Sequence, residues 1–166
     1  VYQQLPEAVL FPQDEEQISQ ILKLANNEKF NVVPRGSGTG LSGGSIPVEN
    51  SVVVVMTRWN KILEVDPDNL TAWVQPGVVT GALQKEVEKI GLFYPPDPGS
   101  LNVCTIGGNV ANNAGGLRGL KYGVTKNYVL GIEMILPNGE LLKTGGKNMK
   151  DVAGYNLRDF IIGSEG

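Results

Sequence analysis

Residues 34–45 read PRGSGTGLSGGS, and five of these twelve positions are glycine. The stretch lies between two apolar runs, residues 32–33 and 52–56, that are typical of strands. Glycine loses more conformational freedom on folding than any other residue, so such a density needs a physical reason. Successive backbone N–H groups in a glycine-rich loop can form a concave anion site. The stretch therefore predicts a strand–loop–strand unit that binds an anion, and a mobile surface loop is the alternative interpretation.

This loop departs from the two common phosphate-binding patterns. Residues 38–43 fit G-x-G-x-x-G by letter, but a strand follows instead of a helix, and Arg58, Trp59 or Asn60 stands where an acidic residue is expected. No Lys-Ser or Lys-Thr pair closes the glycine run as in a P-loop. Hydrogen bonds to a charged group contribute roughly 1.5–3 kcal/mol each, so several backbone donors would outweigh one contact from Arg35. Arg35 is predicted either to pair with a phosphate or to cap the loop.

A second glycine-rich cluster occupies residues 95–116, and residues 103–117 carry no charge. Apolar residues at 106, 110 and 114 have the spacing of a short helix. Small side chains let the backbone approach a large flat ligand, and the asparagines provide neutral donors and acceptors. Tight packing of backbone on backbone is the alternative for this cluster. Together the two clusters favour a ligand that is anionic in one part and flat and apolar in another, which describes a dinucleotide.

The composition, with 166 residues, 41% hydrophobic, 19% charged and 22 glycines, is that of a globular protein. A net charge of −3 gives no indication of nucleic acid or an acidic membrane surface as a partner. The longest apolar run, residues 52–56, is far shorter than the ~20 residues that a membrane span needs. Histidine is absent, Cys104 is the single cysteine, and no metal site is predicted. The first residue is not Met, so the chain resembles an excised piece and the lack of a targeting segment means little.

Hydrophobic spacing divides the chain into two lobes. Residues 1–57 are predicted to form a β-α-β-loop-β unit, the first α/β lobe, and residues 58–166 a second α+β lobe. The predicted strands are residues 8–12, 30–33, 51–56, 62–66, 71–75, 128–136 and 140–143, and the predicted helices are residues 13–27, 79–90, 106–114 and 156–162. Hairpins with interspersed helices imply an α+β fold and not a wound parallel sheet. The predicted core of the second lobe includes Val79, Leu83, Val87, Ile90, Trp59 and Trp73.

Five ordered motifs carry a family resemblance over essentially the whole chain. They are Pro34-Arg35-Gly36-Ser37-Gly38-Thr39-Gly40, Pro96-Asp97-Pro98-Gly99-Ser100, Thr105-Ile106-Gly107-Gly108-Asn109, Asn113-Ala114-Gly115-Gly116 and Gly163-Ser164-Glu165-Gly166. With these motifs the chain resembles the FAD-binding domain of the vanillyl-alcohol oxidase and p-cresol methylhydroxylase family. Within that family it is similar to the branch that contains the FAD-linked subunit of glycolate oxidase and the D-lactate dehydrogenases.

The resemblance implies an α+β fold, a two-lobed FAD-binding domain of the p-cresol methylhydroxylase type that clasps FAD between its lobes. It also implies a domain that is incomplete at its C-terminus and lacks the substrate-binding cap domain. The first glycine loop would take the pyrophosphate, and the second cluster would line the flavin and its ribityl chain. The cofactor-binding residues implied in this way are Pro34, Arg35, Gly36, Ser37, Gly38, Thr39, Gly40, Leu41, Ser42, Pro98, Gly99, Ser100, Cys104, Thr105, Gly107, Gly108, Asn109, Asn112, Asn113, Gly115, Gly116, Glu165 and Gly166.

The resemblance further implies oxidation of a small D-2-hydroxy acid, glycolate or D-lactate, by hydride transfer to flavin N5. No catalytic residue is assigned, because the base and the substrate-binding groups would lie beyond Gly166, and these 166 residues alone would not catalyse the reaction. Electrons would pass to a quinone, cytochrome or iron–sulfur partner. The implied location is the cytoplasm, with peripheral attachment to a membrane through that partner as a variant. The alternatives are an oxidase of the same fold for sugar lactones or aromatic alcohols, and a non-catalytic flavin-binding module.

Cys104 lies where some relatives bond FAD covalently, but the pattern of residues 103–106 differs from theirs. The absence of histidine excludes a histidine linkage within this segment. FAD is therefore predicted to be non-covalent, and Cys104 to be a small buried thiol. Glu165 is predicted either to face the flavin or to have a structural role. A mild basic run is predicted to form a solvated face, and its members are Lys143, Lys147 and Lys150.

Overall fold

The computed structural model describes residues 3–166, and the segment predicted as the first lobe contains a three-stranded parallel sheet and one long helix. The elements of this lobe are β1 (Ala8–Leu10), α1 (Glu15–Glu28), β2 (Asn31–Arg35) and β3 (Ser51–Val55). β3 lies between β1 and β2 and is parallel to both. A central parallel strand is covered on both faces, so its sequence is a continuous apolar run, and residues 53–55 are buried. The predicted β-α-β-loop-β order is confirmed.

The ends of α1 follow from its capping residues. The carboxylate of Asp14 accepts a hydrogen bond from the Gln17 N–H at 2.8 Å, which starts the helix close to the predicted position. The helix continues past its predicted end at residue 27 to Glu28. It stops there because Lys29 adopts the left-handed conformation, with φ 60°, that closes many helices.

The segment predicted as the second lobe begins with an antiparallel hairpin that packs on a helix. Its first elements are β4 (Ile62–Asp66), β5 (Thr71–Val74) and α2 (Thr80–Glu88). The turn predicted between the two strands is confirmed, because the carboxylate of Asp66 accepts the N–H groups of Asp68 and Asn69 at 3.1 and 3.0 Å. Leu83 and Val87 of α2 are buried and form the core of the lobe together with residues of the hairpin.

Two of the core predictions for this lobe are wrong. Ile90 is 50% exposed, because α2 ends at Glu88 and the chain turns before residue 90 can reach the core. Trp73 is 37% exposed, because it pairs with Glu64 on a face of the hairpin that is turned to solvent. Trp59 is partly buried after a short 3-10 turn. Alternation along a strand indicates two faces, but it does not indicate which face is covered.

The rest of the second lobe contains three short helices and a second hairpin. Its elements are α3 (Ile106–Asn112), α4 (Gly119–Tyr122), β6 (Gly131–Ile135), β7 (Leu141–Gly145) and α5 (Leu157–Ile161). The predicted hairpin of β6 and β7 is confirmed, but it starts later than predicted because residues 125–128 form a 3-10 turn. α3 ends before residue 114, since Asn113 is left-handed with φ 48°. None of the helices in residues 3–166 is long and apolar enough to cross a membrane.

α1 connects the first lobe to the β6–β7 turn. The hydroxyl of Ser19 donates to the carbonyl of Gly139 at 2.6 Å, and the amide of Asn26 donates to the carbonyl of Pro137 at 2.6 Å. Gly139 has a φ of +85°, and a Cβ at this position would lie 2.9 Å from the Ser19 carbonyl oxygen. The close approach of the turn to the helix therefore requires glycine.

The basic run near the C-terminus is exposed, as predicted, and two of its lysines are paired with carboxylates. Lys147 Nζ lies 2.8 and 2.7 Å from the two carboxylate oxygens of Glu64. Lys143 pairs with Glu133 across the β6–β7 hairpin. Exposed pairs of this kind contribute little to stability.

Candidate functional site

The glycine loop leaves the end of β2 and remains in contact with solvent. Residues 39–42 are exposed, and the side chain of Leu41 is fully so. Within the described residues 3–166, no group accepts a hydrogen bond from the N–H groups of residues 37–45. The loop therefore presents a row of free backbone donors, which is what an anion-binding loop needs.

The two glycine clusters, distant in sequence, are in direct contact. The hydroxyl of Ser37 donates to the carbonyl of Val103 at 2.6 Å. A Cβ at Gly36 would collide with the hydroxyl oxygen of Thr105, so the missing side chain lets the loop rest on this buried residue. The loop and the turn before α3 therefore form one surface.

The last residues of the chain lie on the other side of the loop. The N–H of Glu165 donates to the carbonyl of Ala111 in α3 at 2.8 Å. A Cβ at Gly44 would lie 3.6 Å from Glu165 Oε2, and a Cβ at Gly166 would lie 3.8 Å from Pro34 Cγ. Glu165 therefore holds the chain end to α3 through its backbone, and its carboxylate lies beside the loop. Both roles left open by the sequence fit this position.

Arg35 lies at the base of the loop, and its side chain folds over Gly38. A Cβ at Gly38 would collide with the guanidinium, which covers the glycine backbone. Arg35 Nη1 also donates to the carbonyl of Ser45 at 3.4 Å. In this geometry the guanidinium contacts both the middle and the end of the loop.

The three asparagines of the second cluster face different surroundings. Asn109 is 3% exposed, and its amide donates to Thr80 Oγ1 at 2.6 Å. Asn113 Oδ1 accepts the N–H of Lys126 at 2.9 Å and so fixes the next turn. Asn112 is exposed, and its Nδ2 would lie 3.4 Å from a Cβ on a loop glycine, residue 40. Of the three, Asn112 is the one whose side chain reaches the glycine loop.

Two glycines of the second cluster, Gly107 and Gly116, are required by packing within the protein, and Gly115 is tightly packed. A Cβ at Gly107 would lie 2.7 Å from Pro76 Cβ, and a Cβ at Gly116 would collide with the carbonyl of Asp97. A Cβ at Gly115 would lie 3.2 Å from the nearest side chain. The alternative interpretation of this cluster, close packing of backbone on backbone, therefore applies to these positions.

The remaining predicted residues of this cluster lie in the turn before α3 or in its first turn. Ser100 accepts the N–H of Cys104 at 2.8 Å through its carbonyl and is partly buried, as is Pro98. Gly99 is exposed, and a Cβ there would meet nothing within 4 Å. Gly108 is exposed in the first turn of α3. Gly99 therefore leaves open space next to its backbone, whereas a Cβ at Gly108 would lie 3.2 Å from Thr105 Oγ1.

Cys104 is a buried thiol, as predicted. It is 4% exposed, and its Sγ lies 3.4 Å from Thr80 Oγ1. Thr80 is fully buried, and it also accepts the amide of Asn109 and approaches the Cys104 carbonyl at 3.3 Å. Sequence reasoning missed Thr80, because a threonine at the start of a helix indicates only a capping residue.

A contact between Asp97 and Arg118, which the sequence did not indicate, joins the two ends of the second glycine-rich cluster. The carboxylate of Asp97 accepts the N–H of Arg118 at 3.0 Å, and its other oxygen lies 3.5 Å from Arg118 Nε. The arginine also lies over the ring of Phe93, with 5.2 Å between its Cζ and the ring centroid. These contacts hold residues 97 and 118 together, which explains the close approach of the backbone there. No local pattern indicated the pairing.

One titratable group near this site, Tyr94, has a raised pKa, and no metal centre is formed among residues 3–166. Burial, with smaller contributions from Cys104 and Tyr128, raises the pKa of Tyr94 to about 12, so its phenol remains protonated at neutral pH. Among residues 3–166, no three His, Cys, Asp or Glu side chains are grouped so that they could hold a metal ion.

The surroundings of the loop fit the diphosphate of a dinucleotide. The N–H groups of residues 37–45 have no partner among residues 3–166, residues 34–45 include no acidic side chain, and Arg35 supplies a positive charge. The uncharged start of α3 adjoins them, so a flat apolar group next to the diphosphate would meet no buried charge. A negative charge, the carboxylate of Glu165, lies near the loop at Gly44.

Comparison with known families identifies this arrangement. Residues 6–145 match a family described as an FAD binding domain. The chain belongs to this family. The family and the cofactor FAD, both predicted from the glycine motifs, are thereby confirmed.

Two curated relatives resemble almost the whole of this FAD-binding chain. The glycolate oxidase subunit GlcD of Bacillus subtilis is 53% identical over 99% of this chain and 35% of its own length. A D-lactate dehydrogenase of Anaerostipes hadrus is 43% identical over 97% of this chain and 34% of its own length. The chain thus spans about a third of the length of the curated relatives that it matches.

A solved structure has the same fold as this FAD-binding chain. The crystal structure of p-cresol methylhydroxylase with substrate bound superposes with a TM-score of 0.71 at 24% identity. The match covers 97% of this chain and 31% of that one. The predicted fold class, an α+β FAD-binding domain of the p-cresol methylhydroxylase type, is confirmed.

Proposed function

We propose that the protein is the FAD-binding part of a flavoprotein dehydrogenase or oxidase that acts on a D-2-hydroxy acid, glycolate or D-lactate. The support for this substrate class is the similarity to a glycolate oxidase subunit and to a D-lactate dehydrogenase over nearly the whole chain. The chain spans only about a third of those proteins. The proposal for the cofactor site therefore rests on this chain itself. The proposal for the reaction rests on the similarity to these relatives.

The observation that carries the proposal is the row of free N–H groups in residues 37–45, next to an uncharged helix start. We assign the diphosphate of FAD to this loop. Hydrogen bonds from backbone N–H groups to phosphate oxygens are charge-assisted and stronger than neutral ones. The hydroxyls of Thr39 and Ser42 are further donors in the same loop, whereas that of Ser37 donates to the carbonyl of Val103.

The second cluster would flank the ribityl chain and the flavin. Direct contact is best supported for Gly99, Gly108 and Asn112, because these residues are exposed beside the loop or the turn that adjoins it. Cys104 and Asn109 are buried against Thr80 and would support the backbone of the site from the interior of the protein. The other cofactor-binding residues implied by the family motifs remain part of the proposal.

The chemistry that FAD supplies when bound is acceptance of a hydride from the α-carbon of the substrate at flavin N5. The residues of this chain hold and orient the cofactor, and the base and the carboxylate-binding groups are proposed to lie beyond residue 166. Attachment of the cofactor is proposed to be non-covalent, since Cys104 is buried and the chain has no histidine. A quinone, cytochrome or iron–sulfur protein, at a cytoplasmic or peripheral membrane location, would take the electrons.

An anaerobic absorbance experiment on the full-length protein loaded with FAD tests this function. We expect the flavin band near ~450 nm to bleach on addition of D-lactate or glycolate, because the cofactor carries the redox step. L-Lactate, which has the same atoms and the opposite hand, is the matched control and should leave the band unchanged. Bound FAD that is bleached by a sugar lactone or an aromatic alcohol, and by neither hydroxy acid, would contradict the proposed substrate class.

A further inference from the structure

The side chain of Arg35 folds back over the glycine loop that follows it. Arg35 is the last residue of β2, and its backbone is held in register with Val55 of β3. A Cβ built on Gly38 would collide with the guanidinium, so the planar group lies directly on the glycine backbone. Gly38 also has a φ of +72°, a conformation that glycine adopts at no steric cost. Gly38 therefore provides both the turn and the space that the arginine occupies.

The same guanidinium reaches the far end of the loop. Arg35 Nη1 donates to the carbonyl of Ser45 at 3.4 Å, so one side chain bridges the start, the middle and the end of the loop. In the part of the chain that the structure describes, residues 3–166, no carboxylate oxygen lies within 4.0 Å of this guanidinium. Its contacts are made with the loop itself and not with an acidic neighbour.

A loop of this composition needs contacts from outside its own backbone, from a side chain or a ligand, to remain ordered. Its glycines have many accessible conformations, and the N–H groups of residues 37–45 find no partner among residues 3–166. A ligand that must order a loop binds more weakly than one that meets a loop already in its bound shape. A planar guanidinium can lie flat on one backbone segment and donate to another, whereas an ammonium group is a compact point charge.

We propose that Arg35 is a positioning residue, which holds residues 36–45 in the shape that receives the diphosphate and does not itself contact a phosphate oxygen. This inference rests on the proposed FAD site and deepens it. It decides between the two roles that the sequence left open, capping the loop and pairing with a phosphate. If Arg35 instead paired directly with a phosphate, its removal would not change the order of the loop in the cofactor-free protein.

A spin label at residue 41 measures the order of the loop without any ligand. Leu41→Cys is a suitable site because Leu41 is fully exposed, whereas the single cysteine of the chain, Cys104, is 4% exposed. In the cofactor-free full chain we expect the label to be clearly more mobile with Arg35→Ala or Arg35→Lys than with Arg35 in place. Equal mobility in all three, with the fold checked by circular dichroism, would overturn the inference.

A double-mutant cycle tests whether Arg35 acts through Gly38. Gly38→Ala and its matched control Gly43→Ala both place a side chain at positive φ, but a Cβ at Gly43 meets only Ile46 Cδ1, at 3.4 Å. We expect Arg35→Ala and Gly38→Ala each to weaken FAD binding about tenfold, and the double variant to lose little more than either one. The effects of Arg35→Ala and Gly43→Ala should add. Additive effects for the Gly38 pair would contradict the inference.

The variant Arg35→Lys separates this inference from the proposed function. It keeps the positive charge, so direct pairing predicts FAD affinity close to that of the unmodified protein. Positioning predicts a loss similar to that of Arg35→Ala, because an ammonium cannot cover the glycine and reach Ser45 together. If the unmodified full chain failed to bind FAD, the proposed function would be wrong. If it bound FAD and Arg35→Lys bound it equally well, only the positioning role would be wrong.

Discussion

The hydroxyl of Ser37 donates a hydrogen bond of 2.6 Å to the carbonyl of Val103, and so joins the glycine loop to the turn before α3. These two segments carry the parts of the site that we assign to the diphosphate and to the flavin. Their separation must match the distance between those groups in FAD. The bond therefore acts on both halves of the cofactor at once.

Removal of this hydroxyl should weaken cofactor binding without unfolding the protein. A neutral hydrogen bond contributes about 0.5–1.5 kcal/mol, so Ser37→Ala should raise the dissociation constant of FAD roughly two- to tenfold. Ser37→Thr, which keeps the hydroxyl, is the control and should stay near the unmodified value. Quenching of flavin fluorescence on titration of the protein measures all three. Unchanged affinity in Ser37→Ala would show that the bond does not set the separation.

Gly36→Ala should destabilise the cofactor-free protein. The new Cβ would collide with the hydroxyl of Thr105, which is 2% exposed and has little room to move. Overpacking of this kind costs about 1–3 kcal/mol. Gly99→Ala is the matched control, because a Cβ at Gly99 meets nothing within 4 Å and should change stability by about 0.5 kcal/mol or less. Urea unfolding measures both, and equal stabilities would contradict the predicted contact.

The features that could be predicted from the sequence are those with a local signal. The density of glycine in residues 34–45 and the lack of charge in residues 103–117 marked the two halves of the candidate site. The turn at Asp66 and the helix start at Asp14 were predictable because each side chain bonds to backbone within three residues. The family motifs then identified the cofactor.

The features that could not be predicted depend on contacts between distant residues. A glycine needed for packing and one exposed beside the site look the same in the sequence, as Gly107 and Gly108 do. Likewise, the burial of Asn109 depends on Thr80, 29 positions away. The exposure of Trp73 depends on which face of a hairpin the rest of the protein covers. Such questions are decided by tertiary packing, for which one sequence carries no local pattern.

The stability of the protein should fall at high pH because of Tyr94. Burial raises the pKa of this phenol from 10.0 to about 12, so the folded state holds the proton more tightly than the unfolded chain. This contribution to stability is fully present below pH 10 and is lost as the pH rises to about 12. Tyr94→Phe should remove this part of the pH dependence, whereas Tyr155→Phe, at a side chain that is 96% exposed, should retain it. Urea unfolding across that range measures the difference, and equal pH dependence in both variants would contradict the burial of Tyr94.

Cys104 should remain unmodified when the protein holds FAD. The thiol is 4% exposed and lies against Thr80, so it cannot approach a flavin without movement of the turn before α3. Mass spectrometry of the denatured protein should give the mass of the chain alone. The thiol should react slowly with a disulfide reagent in the folded protein and quickly after unfolding, since reactivity requires access. A mass increase equal to that of FAD would contradict the non-covalent site.

Asn109 and Asn112 should affect different properties, although they lie on the same short helix. Asn109→Ala removes the amide that donates a buried hydrogen bond to Thr80 Oγ1. The loss should lower the free energy of unfolding by about 1–3 kcal/mol. Asn112→Ala should leave stability unchanged, because Asn112 is exposed, and should weaken FAD binding through the lost donor beside the loop. Urea unfolding of the cofactor-free protein and fluorescence titration with FAD measure the two properties separately. A stable Asn109→Ala variant with weakened FAD binding would place that side chain in contact with the cofactor, and its buried hydrogen bond to Thr80 would then be wrong.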